Sequence, residues 1–361
     1  MRSTFALSAF ALSAGSGAAG LARACFGRIA LALRRVEMTA GMIALGAMVM
    51  GPPPVRAQAR CEVHNLMPQF RRFLSAETRV SAVQRRALFE STLVASDPQL
   101  YDPEVLRDGE PLNQAVDAFL HDVPADVPRI HAVSRTLSAD FGRTIQRFEA
   151  QFPNFTCSDP IYFYPALYAF DGAVRQVGGR TALLFGVDAI AELYSPATLP
   201  VLFDHELLHR YNAQVTGIDG AAPGQPLYLN LWSEGLAVYV SQVMNPTVPI
   251  ATALGRPTDL IARASPMRAE LARAFLRQFN STDFDAYARY FEGGRQTGRF
   301  PQRSGYYLGY LVVSEIASQR RYSLVQLAAL HGDPLQDLVR RELLRIASSD
   351  NRQDRDPRSV P

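Results

Sequence analysis

Apolar positions along this 361-residue chain recur with two different periods, and the switch between them divides it. From residue 62 to 152 the spacing is helical: Val80, Val83, Ala87, Leu88, Leu93 and Val94 share one face, with Arg85 and Arg86 opposite. A second helix is expected over 127–152, closed by Pro153. At Pro160 the texture turns β-branched and aromatic. Ile161-Tyr162-Phe163-Tyr164 reads as a strand, Gly178-Gly179 as a turn, and 181–188 as a second strand. Helical spacing returns over 196–215, 227–244, 258–279, 304–320 and 335–347. The pattern predicts an α+β fold, mainly helical, in which 60–153 form a helical N-terminal region and 154–347 the mixed core. The polar, proline-bearing stretch 348–361 is expected to be a disordered tail.

Residues 1–59 follow different rules. Arg34-Arg35 precede an apolar run over 39–50, then Gly51-Pro52-Pro53-Pro54 and Ala57-Gln58-Ala59. Positive flank, short apolar core, helix breakers and a small-x-small site are the parts of a secretory signal. Twelve apolar residues make a helix of about 18 Å, short of the roughly 30 Å hydrocarbon core, so cleavage near Arg60 is expected rather than a membrane anchor. A membrane contact is expected only if the leader is retained. Its length points either to a translation start at Met38 or Met42 or to an extended leader.

Charge changes the picture only by its placement. All 37 basic residues are Arg, and six of them lie in the first 59 positions beside a single acid, Glu37. The remaining chain holds 31 basic and 33 acidic residues, which gives it no electrostatic footprint for nucleic acid. Two cysteines remain after the leader, Cys61 and Cys157. An even count in an exported chain predicts a disulfide, closing a loop of about 95 residues and contributing about 4 kcal/mol in the loop-entropy view. Two separate buried thiols are the alternative. Neither cysteine lies in a Cys-x-x-Cys pair, which disfavours a metal site made from them. Export, bridge and leader together suggest a periplasmic or secreted protein of the bacterial cell envelope.

The chemistry concentrates in Phe203-Asp204-His205-Glu206-Leu207-Leu208-His209-Arg210, which contains His-Glu-x-x-His. Four residues advance a helix by about 400°, so His205 and His209 project from one face and can reach one ion. Zn²⁺ accepts imidazole nitrogen and, at a catalytic site, takes three protein ligands plus water. Glu206, beside the first histidine, can reach that water as a general base. A chance match arises on the order of once in 200 such chains. His64, His121 and His131 are scattered and carry no such pattern.

Two histidines leave the ion one protein ligand short. The spacing His-x-x-Gly-x-x-His fails, because Asn212 and Val215 stand where glycine and histidine are needed. Asp219 is a candidate in the loop 217–224. Glu234, in Leu231-Trp232-Ser233-Glu234-Gly235-Leu236-Ala237-Val238-Tyr239, is the stronger one: a carboxylate in so apolar a helix needs a cation.

His205-Glu206-x-x-His209 followed by Glu234-Gly235-x-Ala237 resembles the gluzincins, the clan of thermolysin-like and aminopeptidase N-like metallopeptidases, and is similar to a bacterial family of predicted zinc-dependent proteases within it. The resemblance covers about residues 160–320. It implies Zn²⁺ as cofactor, Glu234 as third ligand, and a zincin-like core whose edge strand precedes the active-site helix and binds extended peptide. By that likeness 181–187 is the edge strand, with Leu184, Phe185 and Gly186 docking substrate by β-augmentation. Several gluzincins place a tyrosine three residues before a glycine on a later helix, to support the oxyanion. In Gly305-Tyr306-Tyr307-Leu308-Gly309-Tyr310 that position is Tyr306, with Tyr307 and Tyr310 as alternatives.

Two departures shape the expectation. The chain after the leader has no Gly-x-Met-x-Asn segment, the aminopeptidase element for a free α-amine. The acid four residues after the third ligand in thermolysin-like enzymes is Val238 here, so Asp204 or Ser233 is expected to orient a ligand histidine instead. The reading is an exported zinc metallopeptidase, an endopeptidase, acting on peptide or protein through a zinc-activated water with Glu206 as base. The alternative is a catalytically silent zinc-containing binding or assembly protein of the envelope.

Overall fold

A computed structural model describes residues 61–77, 79–106, 111–293 and 298–349. The leader and the residues from 350 onward lie outside them. Four strands, β1 (Val63–Asn65), β2 (Ile161–Tyr164), β3 (Gly172–Val177) and β4 (Arg180–Gly186), form one sheet in the order β1-β2-β4-β3. β1 and β4 both run parallel to β2, while β3 and β4 are antiparallel.

Gly178 and Gly179, at φ 56° and 78°, make the two-residue turn between β3 and β4. Both central positions need left-handed backbone in such a hairpin, which glycine adopts without steric cost. The hairpin corrects the expected sheet edge. β4, not an outer strand, lies between β2 and β3, and Leu184, Phe185 and Gly186 are buried with their backbones paired on both sides. They cannot add a peptide strand. The free edge nearest the histidines is β3, whose residues are mostly half-buried.

β1 corrects a second expectation, since 62–65 read as helical. Its three residues are too few to show alternation, but Cys61 is disulfide-bonded to Cys157, with Cα atoms 5.1 Å apart, just ahead of β2. The bridge brings the two chain segments together where β1 pairs with β2.

The helices before the core are α1 (Met67–Glu77), α2 (Ala82–Thr92), α3 (Pro103–Leu106), α4 (Leu112–Asp122) and α5 (Val127–Gln151). After β4 come α6 (Val187–Leu193), α7 (Leu199–Thr216), α8 (Leu227–Met244), α9 (Ile250–Ala253), α10 (Leu260–Ala264) and α11 (Arg268–Leu276). The last four are α12 (Phe284–Phe291), α13 (Ser304–Arg320), α14 (Leu324–Ala328) and α15 (Gly332–Ala347). The helix expected over 258–279 is split into α10 and α11 by a 3₁₀ turn containing Pro266, whose missing N–H breaks the ladder. Pro200 sits in the first turn of α7, and Gly217, at φ 72°, closes it in left-handed conformation. Among the described residues no helix is long and apolar enough to cross a membrane.

The N-terminal region belongs to the same compact unit as the rest of the described chain. Phe141 on α5, Phe163 on β2, Phe185 on β4 and Phe203 on α7 stack into one buried cluster, with Phe203 5.0 Å from Phe185 and 5.1 Å from Phe141 between ring centroids. Rings packed edge to face hold α7 two residues ahead of His205.

α8 and α13 cross with their backbones in contact. A Cβ built on Gly235 would lie 2.2 Å from the carbonyl carbon of Gly309, and one on Gly309 would lie 2.4 Å from the Leu231 carbonyl oxygen. The obstacle is backbone, so no side chain can turn aside. Gly309→Ala is therefore expected to lower stability by about 1–3 kcal/mol. Gly142→Ala, in α5 with no atom within 4 Å of the new Cβ, is expected to raise stability by about 0.5–1 kcal/mol. Denaturant unfolding of both variants checks the pair.

Candidate metal centre

α7 presents His205 and His209 one turn apart, and α8 lays Glu234 against them. The Nε2 atoms of the two rings are 3.1 Å apart, and Glu234 Oε2 lies 3.3 Å from His205 Nε2 and 3.5 Å from His209 Nε2. Bonds of about 2.0–2.1 Å at tetrahedral angles separate ligand atoms by about 3.3–3.4 Å. The triangle has the edges of one face of such a tetrahedron. His205, His209 and Glu234 thus form a group that could hold a metal ion.

The electrostatics point the same way. Glu234 Oε2 is buried without a hydrogen-bond partner, and only 7 % of the side chain is exposed. Burial opposes its charge, yet His209, together with contacts to both rings, holds the carboxyl well below the usual carboxylate range. Burial would lower His209 too, but Glu234 overrides it and raises the imidazole; His205 is lowered, chiefly by burial. A proton on His209 and a cation compete for the same point beside a fixed anion.

Ser233 Oγ lies 3.1 Å from His209 Nδ1, so it can fix the ring with Nε2 facing the centre. That settles the choice between Ser233 and Asp204. Asp204, fully buried, is held instead by Arg147 of α5 and by Asn245 Nδ2 at 2.7 Å. Asp219 lines the neighbouring cleft but is not part of the converging group.

Glu206 faces that cleft, an open volume of about 800 Å³ running beside Ala169–Gln176 and the β3 edge. Burial pushes its carboxyl up to about 8, with His209 pulling against it. Gly172 at the start of β3 makes the room: a Cβ there would lie 2.6 Å from Glu206 Oε1. Of the three tyrosines, Tyr306 lines the cleft, its ring stacked near His205 with centroids 6.4 Å apart. Tyr310 packs on Tyr239, and Tyr307 lies outside the cleft wall.

Three wall residues escaped the sequence reading. Gly172 opens β3 and Asp171 immediately precedes it, in a stretch to which the sequence pattern assigned no strand. Arg303, three residues before Tyr306, occupies left-handed backbone at φ 57°, and its guanidinium carbon sits 4.0 Å above the Tyr306 ring. Its signal was weak, a lone arginine before a helix. No known family, curated protein or solved structure matches the chain.

Ser233→Ala is expected to weaken metal affinity about 10–100-fold without unfolding the protein. Because uptake must displace a proton from the His209–Glu234 pair, apparent affinity should rise about tenfold per pH unit through neutrality. Competition titration against a chelator at several pH values measures both effects.

Proposed function

We propose that the protein is an exported zinc metallopeptidase of the gluzincin type, cleaving peptide bonds within extended segments of protein. The observation that carries the reading is the convergence of His205 Nε2, His209 Nε2 and Glu234 Oε2 beside a carboxylate, Glu206, that is not one of the group. Three protein donors are the catalytic number for zinc, whereas structural sites close with four. Zinc held there would supply Lewis acidity toward a water and the scissile carbonyl.

The chain's own residues do the rest. β3, the terminal strand of the sheet beside the cleft, is the strand against which an extended peptide would be laid, so the docking role passes to it from Leu184, Phe185 and Gly186. Glu206 takes the proton of the attacking water on its carboxylate and delivers it to the departing amine. A carboxyl raised by burial suits both transfers. Tyr306, whose hydroxyl stays protonated because burial raises it well above its ordinary value, donates to the developing oxyanion. The Cys61–Cys157 bridge and the signal-like residues 1–59 support export to an oxidising compartment.

Glu206→Gln should retain stoichiometric metal and lose hydrolysis of unfolded casein, and chelation of the wild type should abolish the same activity. Metal-replete wild type that leaves casein intact would favour a zinc-containing binding protein instead. Tyr306→Phe is expected to lower kcat about 10²–10³-fold with little change in KM. A variant as fast as wild type would assign the oxyanion to another donor.

A further inference from the structure

A side pocket of about 80 Å³ opens off the cleft between His205, Glu206 and Arg303. Val201 and Leu202, one turn ahead of His205, form one wall, and the segment 253–255 forms another. Gly255 keeps that wall bare: a Cβ built there would stand 3.8 Å from Arg303 Nη2 and 3.9 Å from the Tyr194 hydroxyl.

The polar groups of the pocket are unequally satisfied. Asp171 accepts the Gly172 N–H at 2.9 Å on Oδ1 and the Tyr194 hydroxyl at 3.3 Å on Oδ2. Arg303 has its ring contact with Tyr306, but its Nε is buried without a hydrogen-bond partner. Among the described residues no carboxylate comes within ion-pair distance of it, although the Asp171 and Glu234 charges act on it through space. The wall is mixed: Val201, Leu202, Ala253 and Leu254 are apolar, while Asp171, His205 and Glu206 are polar, and within it a planar guanidinium held over an aromatic face matches a carboxylate better than any neutral group.

The place of the pocket gives the ligand its position. Glu206 must stand beside the departing amine to protonate it, so a pocket bounded by Glu206 receives the residue on the amine side of the broken bond; this step rests on the peptidase reading. We propose that Arg303 selects a carboxylate on that residue, carried either by an aspartate or glutamate side chain or by the free end of a short peptide. Arg303 is thereby a specificity-determining residue, distinct from Tyr306 above which it sits.

Calorimetry on full-length, zinc-loaded Glu206→Gln protein tests this without turnover. One probe pair is acetyl-Ala-Ala-Ala-Glu-Ala-Ala-amide against its glutamine counterpart. The other is acetyl-tetra-alanine as free acid against its amide. One acid should bind about tenfold more tightly than its neutral partner. Which pair shows the gap identifies the source of the carboxylate. Adding Arg303→Gln should erase the gap, and Arg303→Lys should restore part of it. Equal binding within both pairs overturns the proposal, as does a gap that survives Arg303→Gln, which would mean the acid is held by the metal. Should Arg303→Gln fail to fold, the two acid–amide comparisons and Arg303→Lys still decide it. Casein left intact by the wild type would sink the peptidase reading separately, and hydrolysis without any gap would sink this inference alone.

Discussion

The backbone contact between α8 and α13 is the constraint on which the site depends. Gly235 follows Glu234 directly, and Gly309 lies three residues after Tyr306 and six after Arg303. Removing both Cβ atoms lets the two helices approach until main chain meets main chain. One crossing therefore sets the carboxylate donor, the tyrosine and the arginine at once. A larger residue at either glycine would move one wall of the cleft relative to the other, and donor atoms 3.1–3.5 Å apart leave little tolerance for that. The glycines serve geometry here, not flexibility.

The third wall is fixed from farther away in sequence. Asp204 points away from the cleft to Arg147 on α5, 57 residues earlier, and Asn245 at the end of α8 shares the same carboxylate. A buried acid bonded to both neighbours ties α7 to α5 and α8 immediately before His205. The Phe141–Phe163–Phe185–Phe203 cluster does the same by apolar contact. What reads in sequence as a helical lead-in thus supplies a strand of the sheet and the brace of the histidine-bearing helix.

How much of this was legible in the sequence follows from the range of the interactions involved. His205, Glu206 and His209 are bound by helical periodicity alone, and the α8 and α13 spans follow from local spacing, so all were readable. Glu234 was reachable because an acid in an apolar helix demands a cation. The Cys61–Cys157 pair was reachable by count. The sheet edge was not, because the order β1-β2-β4-β3 is a tertiary fact. β3 hides as well: its residues are mostly half-buried, so its alternation is faint, and only the glycine pair behind it announces a hairpin. Arg303 is invisible for a different reason. Its place over the Tyr306 ring and its buried Nε are set by tertiary packing, which leaves no trace in a sequence.

Asp188 shows how the fold affords strain near the cleft. Leu167 and Tyr168 both take left-handed backbone, at φ 55° and 61°, a conformation costing non-glycine residues about 1–3 kcal/mol each. The fully buried Asp188 carboxylate answers this by accepting the Ala166 N–H at 2.9 Å and the Tyr168 N–H at 2.7 Å. The Tyr168 hydroxyl in turn donates to Asp126 at 2.6 Å. Gly186 completes the fit, since a Cβ there would strike the Phe170 carbonyl oxygen at 2.1 Å. The turn so held ends at Asp171 and Gly172, the pocket acid and the residue that leaves space for Glu206. Burial pushes the Asp188 carboxyl up to about 6, so the group that secures the turn is itself charged at the expense of desolvation. A buried charge and two strained residues persist together because each makes the other tolerable, and their joint product is the position of one glycine.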